Sequence, residues 1–466
     1  MSLDRSRLSV KFSINRLRAQ QADLVERQYP GDHPGPRKWL KLIEGLLDTA
    51  DNQLYSSNNK PPDQALRHIN DAAELCRNAY TYFNFLEGAG IDDLPYSVIQ
   101  PLQRWFDDLK IDGDTFFRAK MDINYEVESI DEKHFKRIRN PSNALSNAIA
   151  AISWPIHRIT VPKKAFSILP HFAIVAHEFG HLLYDKTSWN DDIANHFKKE
   201  EKNLIKRIRI RLSKSVLTKE DIKEYNKILA RWCEELAADA FAVTLTGPAI
   251  FFAVSDFFQL FANSHGLSKA YPANEFRRGV LFKQMLYKKN SESFAEIFNE
   301  FTGQELTVKF NSELVSTPSS DELFTELSKN KDYTKTAAAI IAELNTSISE
   351  VVEVIYQNVR DYIQKNVPKS LYSAEIYRKD MKDHFEGMLN AIPPIESGNS
   401  LSERKSANFS SILNIGWAVL LTKLPELKLR TDEMEDFGAE KLERLHDLLL
   451  KAVELSEAKI IWEEVK

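Results

Sequence analysis

Cysteine is nearly absent. The 466-residue chain holds two, Cys76 and Cys233, far apart and without ligand-type spacing. This argues against a disulfide framework or a cysteine-held zinc site, and makes a reducing, cytoplasmic compartment the expected one. Glycine is scarce as well, at 15 residues, and long stretches follow a 3.6-residue period, which points to a mainly helical chain with little sheet. Long apolar runs are also missing. The N-terminal MSLDRSRLSVKFSINRLRAQQ contains no secretion-signal core. The greasiest segment, AIFFAVSDFFQLFA (249–262), is short for a membrane span and carries Asp256 and Gln259, so it reads as a buried helix. Nor does one charge dominate: 62 Lys and Arg against 67 Asp and Glu leave a net −5, which gives no drive toward nucleic acid or anionic membranes.

What the chain does have is helical periodicity. Helices are expected over 37–56, 62–86 and 97–110, separated by the turn signals YPGDHPGP and NNKPPD. Alternation at INYEV (123–127) and HRITV (157–161) suggests strands of a small sheet. A helix is expected from Ser167 to Asp185, with Pro170 tolerated in its first turn. The charged stretch 196–229 reads as two helices with Thr218 as N-cap, and a helix over 220–246 stops at Gly247 and Pro248. The expected architecture is mainly α with a small β-sheet: a helical region over 1–120, a core over 121–290 carrying the charged insertion 196–229, and a helical region over 291–466.

The chemistry concentrates in FAIVAHEFGHLLYD (172–185). His177 and His181 are four residues apart, so on a helix they project from one face within reach of a single ion. Glu178 lies about 100° round from His177, where it can touch a water without being a ligand. Phe172, Val175, Phe179, Leu182 and Leu183 form the stripe that would fix this helix to its domain. The bland alternative is a pair of core histidines satisfied by carbonyl groups.

A second motif weighs against that alternative. In RWCEELAADAFAVTLTG, Glu235 and Asp239 share one helix face, so Glu235 can complete three protein ligands while Asp239 accepts the free N–H of a histidine. Glu234 is the rival third ligand, but position 238 is alanine, so it lacks an acidic partner four residues on. Gly180 and the alanines at 237, 238, 240 and 242 would let the two helices approach closely.

HEFGH followed by EELAADAFA resembles the gluzincin metallopeptidases, whose pattern is HExxH on one helix and ExxxD on the next; the match covers roughly 150–280. The resemblance implies a zincin-like catalytic core, one Zn2+ per chain held by His177, His181 and Glu235, Glu178 as general base, Asp239 behind a histidine, and a peptide or protein substrate. It also implies a sheet whose edge strand pairs with substrate, with HRITV as the candidate edge. Among gluzincins, YPANEFR (271–277) is similar to the THPPxxxR stretch of the prenyl-protein protease branch, keeping Pro272 and Arg277 but with Tyr271 in place of histidine. Tyr271, or His265 just upstream, is then the candidate oxyanion donor, while Arg277 and Tyr184 would line the cleft. The ImmA/IrrE-like peptidases are the alternative affiliation. The competing function is a regulatory or binding protein with a non-catalytic, or partner-activated, zincin-like site. Glu178 weighs against it, because a relic has no need of a general base.

Overall fold

The computed structural model describes residues 3–29, 34–90, 93–94, 96–120, 124–163, 168–184, 202–214, 217–261, 267–288, 292–306, 319–397, 405–428 and 437–465. The fold is mainly helical with one small three-stranded sheet. Its contacts divide the chain into two compact units, one of residues 1–103 and 110–167, the other of 104–109 and 168–466.

The first unit holds α1 (Leu3–Val25), α2 (Pro34–Ser56), α3 (Pro62–Leu86), most of α4 (Tyr96–Asp108), β1 (Asp114–Lys120), β2 (Glu126–Ile130), α5 (Asn143–Ala150) and β3 (Ile156–Pro162). Its core gathers around Trp39, whose ring packs on Tyr82, Phe85, Phe116 and Phe135, and whose indole N–H donates to the Tyr82 carbonyl at 3.0 Å. Buried indole needs such a partner, so the bond fixes α2 against α3 as well as filling space.

The sheet corrects two expectations. HRITV lies in the central strand, β3, with β1 parallel on one side and β2 antiparallel on the other. All seven β3 residues are buried, so this strand offers no free edge to a substrate. INYEV lies partly outside the described residues, and the strand there is β2, which starts at Glu126. β1 itself was not legible, because in DTFFRAK the two phenylalanines are adjacent and blur the period-2 signal.

The second unit begins with the last turn of α4 and a 3-10 turn, Leu169–Phe172, which leads into α6 (Ala173–Tyr184). There follow α7 (202–211), α8 (Lys219–Thr246), α9 (Pro248–Phe261), α10 (Asn274–Leu286), α11 (Phe294–Thr302), α12 (Ser320–Leu327), α13 (Lys335–Ser347), α14 (Ser349–Asn366), α15 (Ala374–Leu389), α16 (Phe409–Thr422) and α17 (Phe437–Val465). β4 (Glu396–Ser397) and β5 (Lys405–Ser406) form a two-residue ribbon.

α8 is the axis of this unit. Its start carries the expected Thr218 cap, completed as a reciprocal box with Asp221. From Glu235 to Thr246 every residue is buried, and the helix packs on α6, α9, α10, α13, α14 and α16. A helix end buried this deeply leaves carbonyls without intrahelical partners. Here Tyr372 N–H donates to Thr244 O at 3.0 Å, Ser410 to Leu245 O at 2.9 Å and Asn414 to Thr246 O at 2.8 Å. The chain then leaves through Gly247 at φ +56°, where a side chain would also strike the Tyr372 ring.

The basic face of α7 is not wholly solvated. Arg207 and Arg211 both donate to the buried Glu343 of α13, at 2.9 and 2.8 Å, and Arg211 reaches on to Asp321 at 2.7 Å. Lys214 pairs with Asp221. Both cysteines are buried and unpaired, and among the described residues no helix is long and apolar enough to cross a membrane.

Candidate metal centre

α6 and α8 meet at their smallest residues. A Cβ added to Gly180 would lie 2.6 Å from Ala238 Cα, so the backbones approach as closely as glycine allows. Phe179 and Leu183 are buried on the side of α6 away from solvent, while Leu182 stays partly exposed. This contact sets the histidines of one helix against the carboxylates of the other.

Three side chains converge. His177 Nε2 lies 3.2 Å from His181 Nε2, His177 Nε2 lies 3.4 Å from Glu235 Oε2, and His181 Nε2 lies 3.6 Å from Glu235 Oε1. The rings stand nearly perpendicular, at 87°. Zinc bonds of about 2.0–2.1 Å at tetrahedral angles put ligand atoms roughly 3.3 Å apart, so the group fits a divalent cation without rearranging its helices. A buried group of His177, His181 and Glu235 could therefore hold a metal ion.

The outward nitrogens of the two rings are also held. His177 Nδ1 is 2.9 Å from Asp239 Oδ1 and His181 Nδ1 is 3.0 Å from Glu234 Oε1. A carboxylate can only accept, so His181 Nδ1 donates to Glu234, while His177 Nδ1 lies within ion-pair distance of Asp239, and each Nε2 is turned toward the point of convergence. Asp239 is itself gripped by Arg277, which donates through Nε at 2.8 Å and through a terminal nitrogen at 2.7 Å. The other terminal nitrogen of Arg277 is 3.3 Å from Glu235, and the guanidinium lies over the Phe258 ring.

Electrostatics follow from this packing. Burial opposes the charged form of His177, but the hydrogen bonds to Asp239 and Glu235 outweigh it and push its pKa up to about 10. Burial likewise opposes ionised Glu235, yet the bond to His177 and the Arg277 charge hold it below the usual carboxylate range. Asp239 is lowered against the same burial by the charge and bonds of Arg277. Glu178 behaves differently: protein atoms crowd its carboxyl, and this desolvation holds its pKa above the ordinary value despite the nearby histidines. Tyr271 is raised by burial and by the negative charges of Glu235 and Glu178, which places its hydroxyl in the field of the same centre.

The named residues thus fall into groups. His177, His181, Glu235 and Asp239 are brought together, with Glu178 beside them and Tyr271 half-exposed nearby. Arg277 is buried, with its guanidinium paired to Asp239 and close to Glu235. Tyr184 is buried at the end of α6, and His265 lies outside the described residues. His171 points off the ligand face, with Nε2 2.6 Å from Asp256 and its ring against Trp417. Sequence reasoning missed the attachment of Glu234 to His181 and the anchoring of Asp239 by Arg277; the only signal for the first was its place next to Glu235. The chain matches no protein-family model, no curated protein and no solved structure.

Proposed function

We propose that this chain is a zinc-dependent peptidase with a gluzincin-like catalytic core, hydrolysing peptide bonds of a peptide or protein. The observation that carries the reading is the convergence of both Nε2 atoms and the Glu235 carboxylate at 3.2–3.6 Å, with both Nδ1 atoms tied back to carboxylates. Core histidines with no further task are ordinarily satisfied by carbonyl groups, whereas here both inner nitrogens and a carboxylate face a single point. A zinc ion held there supplies Lewis-acid polarisation of the scissile carbonyl and a lowered pKa for an attacking water.

The protein's own groups do the rest. Glu178, one residue from His177 and raised in pKa by desolvation, is suited to take a proton from the water and return it to the leaving amine. A base poised nearer neutrality than an ordinary carboxylate both accepts and releases that proton readily. The Tyr271 hydroxyl can donate to the negative oxygen that develops on the carbonyl. With zinc bound, Asp239, anchored by Arg277, would keep the hydrogen on His177 Nδ1 and leave Nε2 to the ion.

The test has two arms. Elemental mass spectrometry of protein purified without added metal should find close to one zinc per chain, and Glu235→Ala should lose it. Against a panel of protein substrates, Glu178→Gln should keep its zinc while turnover falls about 10²–10⁴-fold. Full turnover in Glu178→Gln, or no zinc uptake by the unaltered protein, would refute the assignment.

A further inference from the structure

The two histidines are supported unequally, and this inference rests on the metal centre proposed above. Behind His177 stands Asp239, with no exposed side-chain surface and two bonds to Arg277. Behind His181 stands Glu234, whose side chain is 39% exposed and whose one hydrogen bond among the described residues is the 3.0 Å contact with Nδ1. Glu234 sits one residue before Glu235 on α8, about 100° round the helix, so it cannot share the convergence point. Its carboxylate meets the far nitrogen of the ring and leaves the metal side of His181 clear.

We infer that Glu234 is a positioning residue: it orients the His181 imidazole toward the ion, and through its place at the rim it governs how fast the centre gives up its metal. A histidine whose Nδ1–H has a fixed acceptor presents Nε2 in one tautomer and one ring orientation, and is the more basic ligand for it. Without that acceptor the ring of His181 is free to turn about its side-chain bonds, whereas His177 stays locked by the Asp239–Arg277 pair. Metal release therefore starts at His181. The Gln side chain keeps a carbonyl oxygen at the same reach and loses only the charge, so it separates orientation from electrostatic attraction.

The experiment uses the full chain with zinc alone, and then cobalt(II), as probes. Zinc affinity and release rate are read by competition with a chromophoric chelator for the unaltered protein, Glu234→Ala, Glu234→Gln and, as a control on the exposed start of the same helix, Glu220→Ala. Glu234→Ala should bind zinc about 10–100-fold more weakly, mainly through faster release, and should shift the visible bands of the cobalt form. Glu234→Gln should recover most of the affinity and the original bands, and Glu220→Ala should match the unaltered protein. Melting of the metal-free variants should stay close to the parent, because a half-exposed carboxylate contributes little to the fold itself. Unaltered zinc release and cobalt bands in Glu234→Ala would overturn the role of Glu234 while leaving the metal centre standing, and so would a Gln variant no better than Ala. A parent chain that takes up neither ion would remove the centre itself, and with it any role for Glu234.

Discussion

Gly180→Ala puts the α6–α8 contact to a direct test. The new methyl carbon would lie 2.6 Å from Ala238 Cα, 3.1 Å from its Cβ and 3.2 Å from its carbonyl oxygen. Carbon atoms rest at about 3.5–4.0 Å, so the helices must part by roughly 1 Å near the contact. Backbone is what is struck, and no side chain can swing aside. Overpacking of this kind costs about 1–3 kcal/mol, against which alanine returns about 1 kcal/mol of helix propensity, leaving a net loss of roughly 0–2 kcal/mol. The larger effect falls on the ligands, because His177 and His181 ride on α6 while Glu235 rides on α8. Their Nε2–Nε2 spacing of 3.2 Å is unaffected, but the 3.4 and 3.6 Å gaps to Glu235 open. Zinc affinity should fall about tenfold or more, a loss of at least about 1.4 kcal/mol. Urea unfolding of the metal-free protein and chelator competition read the two effects separately. Gly387→Ala is the matched control: its Cβ would meet only Ile392 Cβ, at 3.8 Å, so it should stabilise the protein by up to about 1 kcal/mol and leave zinc binding alone. A Gly180→Ala protein as stable as the Gly387→Ala one, with undiminished zinc affinity, would refute the close-contact argument.

Two further perturbations probe buried charge. Asp380 on α15 accepts from the Tyr372 hydroxyl at 2.7 Å, yet burial pushes its pKa up to about 6 from an ordinary 3.8. The folded state therefore holds the proton more tightly than the unfolded one, so this group's contribution is favourable below about pH 4 and is lost as pH rises through about 6, a change of roughly 2–3 kcal/mol. Asp380→Asn cannot ionise and should flatten that fall, making it the more stable form at about pH 7.5 in denaturant unfolding; parallel pH profiles for the two proteins would contradict the reasoning. Arg277→Lys keeps the charge but loses the two-bond fork on Asp239, so zinc affinity should fall about tenfold or more and stability by about 2 kcal/mol, although the residue touches no ligand nitrogen. Parental zinc affinity in that variant would show that Asp239 needs no anchor.

The helices were legible because their signals are local. The expected 62–86 coincides with α3, and the Thr218 cap sits where its sequence spacing to Asp221 requires. Strand neighbours were not legible, for a physical reason. Alternation along HRITV reports what lies above and below a strand, and says nothing about what lies beside it in the hydrogen-bonding direction. An edge and a centre with the same buried faces read alike. Tyr184, seven residues after His177, shares the ligand face by count, and its side chain is buried.

The centre was half legible, and the unread half lies in the direction of the helices. His177 pairs with the later carboxylate, Asp239, and His181 with the earlier one, Glu234, so α6 and α8 run antiparallel where they cross. Four residues on one helix rise about 6 Å and five on the other about 7.5 Å, so the spacing would let two histidines and two carboxylates meet in either sense, and the observed pairing is the antiparallel one. Glu235 then falls between the flanking acids along the axis, and its oxygens face the inner nitrogens while Glu234 and Asp239 take the outer ones. In a parallel pair the same residues would set Asp239 beside His181 and Glu234 beside His177. Sequence spacing supplied every group, but helix polarity decided which histidine each acid serves, and it is why Glu234, set aside as a ligand for want of an acid four residues on, has a partner after all.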